Sequence, residues 1–300
     1  VVTALTEEHY RAVVIENDSD NLNEIRLNDM REYVPSIIGD ASDAKQLEHA
    51  GIKHPKCKGV IAVTSSDETN LKIALSSKLL HPNVKVVCRS NLKEHEENML
   101  SFGTDHVVNP FETFATIFQM VMHSPSQYLI YDWLTGAPLS RLSDPIYFRY
   151  GHWILCGYGR FGKQLYNLLI DADIDVTVID PSVNVRDEFE HHHANHKKNF
   201  IIGTGIDEKT LKQAGIETSA GIIAGSDNDS NNLSIIMTAR AINPDVFAVA
   251  RQNIYNNYNL YSATKANLIM RPREITARKI RAVFLNPLLV DFLETAKDYD

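Results

Sequence analysis

Residues Trp153-Ile154-Leu155-Cys156-Gly157-Tyr158-Gly159-Arg160-Phe161-Gly162 decide how this chain is read. Four apolar residues run without alternation, as in a strand buried on both faces of a parallel sheet. A GxGxxG follows at once, and Leu165, Leu168 and Leu169 then recur at the spacing of an amphipathic helix. The three glycines have separate tasks. Gly157 allows the tight turn, Gly159 lets backbone approach a pyrophosphate, and Gly162 lets the helix pack closely on the strand. The start of that helix offers unsatisfied N–H groups and the positive end of its dipole to a phosphate. Asp180 closes the next apolar strand, 21 residues after Gly159. An acidic side chain there accepts hydrogen bonds from ribose hydroxyls and repels a 2′-phosphate. The expected ligand is NAD(H) or an adenine nucleotide (ADP, ATP or AMP) rather than NADP(H).

Further short apolar strands are expected at Val176–Ile179, Phe200–Ile202, Gly221–Ala224, Val246–Ala250 and Leu268–Met270, with helices such as Lys163–Ile170 and Asn232–Ala241 between them. Alternation of this kind indicates a parallel sheet with helices on both faces. The same series occurs earlier in the chain. Ser36-Ile37-Ile38-Gly39-Asp40 matches Phe200-Ile201-Ile202-Gly203-Thr204 at an offset of 164 residues, and Leu47, Ala50, Gly51 and Ile52 match Leu211, Ala214, Gly215 and Ile216. From Gly59 the offset becomes 162. Gly59–Ala62 then matches Gly221–Ala224, Leu80–Arg89 matches Ile242–Arg251, and Asn109–Glu112 matches Arg271–Glu274. The chain is therefore an α/β protein of two tandem Rossmann-like, doubly wound parallel sheets. Residues 1–136 form the first copy, 137–150 a linker containing Pro138 and Pro145, and 151–300 the second copy. By the offset, Val1 falls inside the first helix of its copy, so the first sheet lacks its opening strand in this sequence. That strand is central in the 3-2-1-4-5-6 order, and the expectation is that further chain lies upstream.

A length of 300 residues, 44% hydrophobic and 23% charged, suits two ordinary domains. The formal net charge of −8 argues against general nucleic-acid binding. No apolar run approaches the roughly 18–20 residues of a membrane-spanning helix. Cys57, Cys88 and Cys156 lack zinc-ligand spacing, and two of them sit in apolar strands, as buried thiols do in a reducing compartment.

The combination GYGRFG with Asp180, then IIGT with LKQAGI, then GIIAGSDNDSNN, then VFAVAR resembles the RCK or TrkA-N (KTN) domain, nearly end to end and twice over. The resemblance implies a nucleotide-sensing cytoplasmic gating module that regulates potassium transport through a potassium channel. Such modules form homo-oligomeric rings attached at the inner membrane to a pore domain, here absent from the sequence. Carried over by position, the resemblance places Arg160 near the phosphates and Gly203-Thr204 beside the adenosine, with Phe161 a further cofactor-binding candidate of the glycine motif. Ser226, Asp227 and Asn232 line the loop after the fourth strand, and Arg251 points into the cleft. The matching positions of the first copy are Glu16, Gly39-Asp40, Thr64-Ser65, Asp67, Asn70 and Arg89. The family's calcium-sensing members carry carboxylates near the end of the fifth strand, where this chain has Arg89 and Arg251. After each sixth strand the resemblance implies a helix-turn-helix crossover arm, Phe111–Gly136 and Arg273–Ala296, broken at Pro125 and Pro287. Ile117, Met120, Val121, Leu129 and Trp133 fit a buried helix face there. Two other readings stand beside this one: a soluble regulatory subunit of a potassium uptake transporter, and an NAD-dependent oxidoreductase.

Three further groups carry less. Tyr261 and Lys265 have the YxxxK spacing of a short-chain dehydrogenase, but Ala248 stands where its serine belongs, so solvated helix surface is expected. His191, His192, His193 and His196 read as a polar helix surface, although His192 and His196 share metal-ligand spacing. The loop Ser226-Asp227-Asn228-Asp229 offers hard oxygens to a divalent cation, yet Asp and Asn are common helix caps, and nucleotide contact or capping of the helix with Asn232 is the expectation.

Overall fold

The computed structural model describes residues 1–27, 32–136, 141–193 and 199–290. The first copy contains α1 (Val2–Glu7), β1 (Val14–Glu16), α2 (Ser19–Leu27), β2 (Ser36–Ile38), α3 (Ala44–His49), β3 (Gly59–Ala62), α4 (Asp67–Leu80), β4 (Lys85–Arg89), α5 (Lys93–Ser101) and β5 (His106–Val108). The helices α6 (Pro110–His123) and α7 (Pro125–Thr135) follow. The second copy contains β6 (Trp153–Cys156), α8 (Arg160–Asp171), β7 (Val176–Asp180), α9 (Val183–His192), β8 (Phe200–Ile202) and α10 (Glu208–Gln213). It continues with β9 (Gly221–Ala224), α11 (Asp229–Ile242), β10 (Phe247–Arg251), α12 (Tyr258–Ala263), β11 (Leu268–Met270) and α13 (Pro272–Leu285).

Among the described residues the second copy forms one parallel sheet of order β11-β10-β9-β6-β7-β8, the doubly wound order the sequence predicts. Central β6 is continuously apolar because both faces are covered. Ile154 and Cys156 face a cluster with Leu211, Ile235, Ile236 and Ala239, on the side of α10 and α11. On Trp153 of the same strand pack Phe118 of α6, at 5.8 Å, and Phe148, stacked at 4.9 Å. The first copy instead has two separate parallel sheets, β1-β2 and β3-β4-β5. In the second copy β6 joins β7 to β9. Among the described residues no strand does this for their counterparts β1 and β3.

Chain order and packing partition differently. One compact unit holds residues 1–110 with 273–300, and the other holds 111–272. Each unit thus contains the helix that follows the other copy's last strand. In the first unit Ile280 and Val283 of α13 pack on Val87 and Val108. In the second, Phe111, Phe114, Phe118 and Val121 of α6 are buried, a face at three- and four-residue spacing. This buried face is centred on phenylalanines the pattern reading did not select. Ile117 and Met120 are half-buried beside it, and Trp133 of α7 is 52% exposed. Pro125 begins α7 as expected of a helix start. Residues 291–296 of the second arm, and Pro138 of the linker, lie outside the described residues.

The core asymmetry is measurable. Ile222→Ala, at a fully buried position of β9, is expected to cost about 2–5 kcal/mol in urea denaturation. Ile202→Ala, at a position 49% exposed at the end of β8, is expected to cost less than about 1 kcal/mol.

Candidate functional site

The turn between β6 and α8 is built as the motif requires. Gly157 has φ +96°, a left-handed conformation that strains any residue with a Cβ. A Cβ on Gly162 would collide with the Gly157 carbonyl oxygen, whereas one on Gly159 would meet no atom within 4 Å. The second glycine therefore opens space, and the third brings the helix down on the strand. Gly159 caps α8 without a side-chain hydrogen bond, so the first N–H groups of the helix are left to a ligand or solvent.

A cleft of about 240 Å³ lies over this turn, lined by Gly157, Gly159, Arg160, Ile179, Asp180, Pro181, Val185, Thr204, Gly225, Ser226, Asp227, Asn231 and Arg251. Eight of the twelve second-copy residues singled out in the sequence are there. Phe161, Gly162, Gly203 and Asn232 are not. Phe161 is 1% exposed and packs on Phe114, its ring centroid 5.5 Å away. Gly203 instead donates its N–H to the Asp180 carbonyl at 3.2 Å.

Asn232 is fully buried, and its side-chain amide is committed to the protein. Its Oδ1 accepts from Ser226 N–H at 3.0 Å and Ser226 Oγ at 2.8 Å; its Nδ2 donates to the carbonyls of Ser226 and Arg251, each at 2.8 Å. Asn232 is thus a clamp joining the β9 loop to the end of β10, not a cleft-lining residue. Asn70 makes the same bonds in the first copy, to Thr64 and to the Arg89 carbonyl. Asn228 caps α11. Asp229, buried, accepts from the backbone N–H and side chain of Asn253, from Ile254 N–H and from Asn257 Nδ2. Burial alone would raise its pKa, and these bonds more than offset that, holding it below the ordinary aspartate value. Its match, Asp67, accepts from Asn91 in the same way. Asn228 and Asp229 of the acidic loop are therefore spent on a cap and on loop bonds, while Asp227 stays exposed and lines the cleft.

Asp180 Oδ2 accepts from Tyr158 N–H at 2.8 Å and Oδ1 from Ser182 N–H at 2.9 Å. The carboxylate thereby steadies the glycine turn and lines the cleft. Arg160 and Arg251 stand at the other side. Both guanidiniums lie over the ring of Phe111, at 5.6 and 5.2 Å from its centroid. Arg251 pairs with Asp227 at 2.5 Å, but that carboxylate is 88% exposed. Burial lowers the Arg251 pKa, Asp227 opposes this, and the neighbouring Arg160 charge lowers it further. Phe111 had no motif to mark it, because it reaches the site on a helix that begins before the second copy.

First-copy candidates fall into two groups, following its two sheets. Glu16 turns back to accept from Asn17 and Asp18 N–H. Asp40, exposed, accepts from Ser42 N–H, and that bond lowers its pKa. Ser65, Asp67, Asn70 and Arg89 belong to the other group, where Arg89 donates to Asn91 Oδ1 at 3.0 Å. Tyr261 departs from the surface expected of it. It is fully buried, and its hydroxyl donates to the Arg251 carbonyl at 2.7 Å. His191 and His192 are exposed, but His193 packs on Tyr166 and Phe189 and its ring Nε2 lies 3.0 Å from the Tyr158 hydroxyl. His196 lies outside the described residues.

A model of the TrkA-N domain matches residues 1–110 and 153–272. "Probable potassium channel protein 2" of Methanocaldococcus jannaschii is 30% identical over 158 residues, covering 52% of this chain and 46% of that protein. The chain thus spans about half the length of that curated relative. Among solved structures, GsuK bound to ADP aligns with a TM-score of 0.68 at 19% identity, over 94% of this chain and 65% of that one. GsuK bound to NAD aligns at 0.66 and 15% identity, over 93% and 60%. At such identities the likeness is one of fold.

Two consequences of the clamps are open to measurement. Asn232→Ala removes the acceptor of the Ser226 N–H and hydroxyl and one donor to each of two carbonyls, and is expected to destabilise the protein by about 1–3 kcal/mol in denaturant unfolding. The depressed Asp229 pKa contributes stability that is present above the unfolded value near ~3.9 and is lost as pH falls through the lower folded value. Asp229→Asn should therefore flatten the fall in stability below pH ~4; an unchanged acid limb would contradict the assignment.

Proposed function

This chain belongs to the TrkA-N domain family, and from that premise we propose that it is a ligand-sensing module regulating potassium transport through a channel, with an adenine nucleotide or NAD(H) held in the second-copy cleft. The observation that carries the reading is the division of labour around the glycine turn. A helix start with uncapped N–H groups and two guanidiniums stands on one side, and the Asp180 carboxylate on the other. The first arrangement suits a diphosphate and the second a ribose. The fold likeness to GsuK, in structures bound to ADP and to NAD, supports the same ligand class. The curated relative supports a potassium channel as the wider context.

In this reading the cleft binds and does not turn over its ligand. Binding favours one of two conformations only insofar as the ligand contacts them differently. A pore domain, a ring of such modules and a cytoplasmic position at the inner membrane complete the proposal. Among the described residues no helix is long and apolar enough to cross a membrane, so the pore would be supplied by another segment or another chain.

Calorimetric titration of NAD, NADH, AMP, ADP and ATP tests the reading. At least one is expected to bind the protein, and Asp180→Ala to weaken it by about tenfold or more, that is ~1.4 kcal/mol. No NADH should be consumed with small carbonyl compounds. Absence of binding by all five, or steady turnover, would overturn it.

A further inference from the structure

Arg160 and Arg251 present an electrostatic problem that Phe111 solves. The Arg160 charge stands close enough to disfavour the charged form of Arg251. Among the described residues no carboxylate forms an ion pair with Arg160; Arg251 pairs with the exposed Asp227, and the charge of the buried Asp229 adds a smaller favourable contribution. A second buried carboxylate would relieve the repulsion but would also compete with any anion for the same N–H groups. An aromatic face attracts both cations without neutralising either. The Phe111 ring, 3% exposed in the first turn of α6, lies within 5.6 Å of both guanidinium carbons. It is backed by Phe161 of the glycine motif, centroid to centroid 6.5 Å. Turn, arginines and ring therefore form one packed block.

We propose that Phe111 is a positioning residue for phosphate recognition, its ring holding the Arg160 and Arg251 guanidiniums side by side so that one phosphate group meets both. The inference rests on the proposed nucleotide cleft and adds to it a reason why the phosphates, rather than the nucleoside, set affinity. It also distinguishes the copies. Arg273 occupies the position matching Phe111 in the repeat, so the aromatic platform belongs to the second copy.

The test is calorimetric titration of adenosine and ADP into the protein, Phe111→Leu and Phe111→Tyr. Leucine keeps the apolar bulk and removes the π face; tyrosine keeps both. Phe111→Leu is expected to weaken ADP by about tenfold while adenosine is unchanged, and Phe111→Tyr to retain ADP affinity. Phe111→Met serves the same purpose if leucine prevents folding. Equal losses for adenosine and ADP would reduce Phe111 to a packing residue and overturn the inference, as would unchanged ADP affinity in Phe111→Leu. Failure of the unmodified protein to bind either compound would instead defeat the nucleotide reading on which the inference rests.

Discussion

The backbone of Gly162 lies so close to the Gly157 carbonyl that no side chain fits between them. The other features of the second cleft depend on this approach. It seats the start of α8 directly over the end of β6, with Gly157 turning at positive φ and Gly159 leaving space above. It thereby aims the uncapped N–H groups of α8 at a common point. Asp180 holds the turn by accepting from Tyr158 N–H. The Asn232 clamp fixes the loop after β9 to the end of β10, and so sets where Arg251 stands relative to that point. A shift in any one of these would move the α8 N–H groups and the two arginines relative to the Asp180 carboxylate.

Duplication shows which parts are architectural. Asn70 and Asn232 make the same set of bonds, and Asp67 and Asp229 each hold an asparagine just after β4 and β10 respectively. Such buried, saturated polar groups are costly to disturb. The copies differ at the start of the helix that follows each last strand, where Phe111, its ring under two arginines, is matched by Arg273.

Much of the second copy was legible because buried parallel strands are continuously apolar. The runs at 153–156, 200–202, 221–224 and 268–270 were read to the residue, and 246–250 slipped by one to Phe247–Arg251. The structural roles of Gly157 and Gly162 were legible because positive φ and close approach restrict residue type. Asn232 and Tyr261 were misplaced for a common reason: a polar residue beside a site reads alike whether it faces the ligand or is saturated by backbone. Periodicity marks a helix face as buried without naming what buries it. That is why Phe111, Phe114 and Phe118 were not anticipated in the second unit.

The most direct test of the central claim is a structure of this chain determined with ADP or NAD added. The account predicts the diphosphate against Gly159 and the first turn of α8, within reach of Arg160 and Arg251, with a ribose hydroxyl on Asp180. Ligand bound elsewhere, or a second cleft left empty at saturating nucleotide, would contradict it.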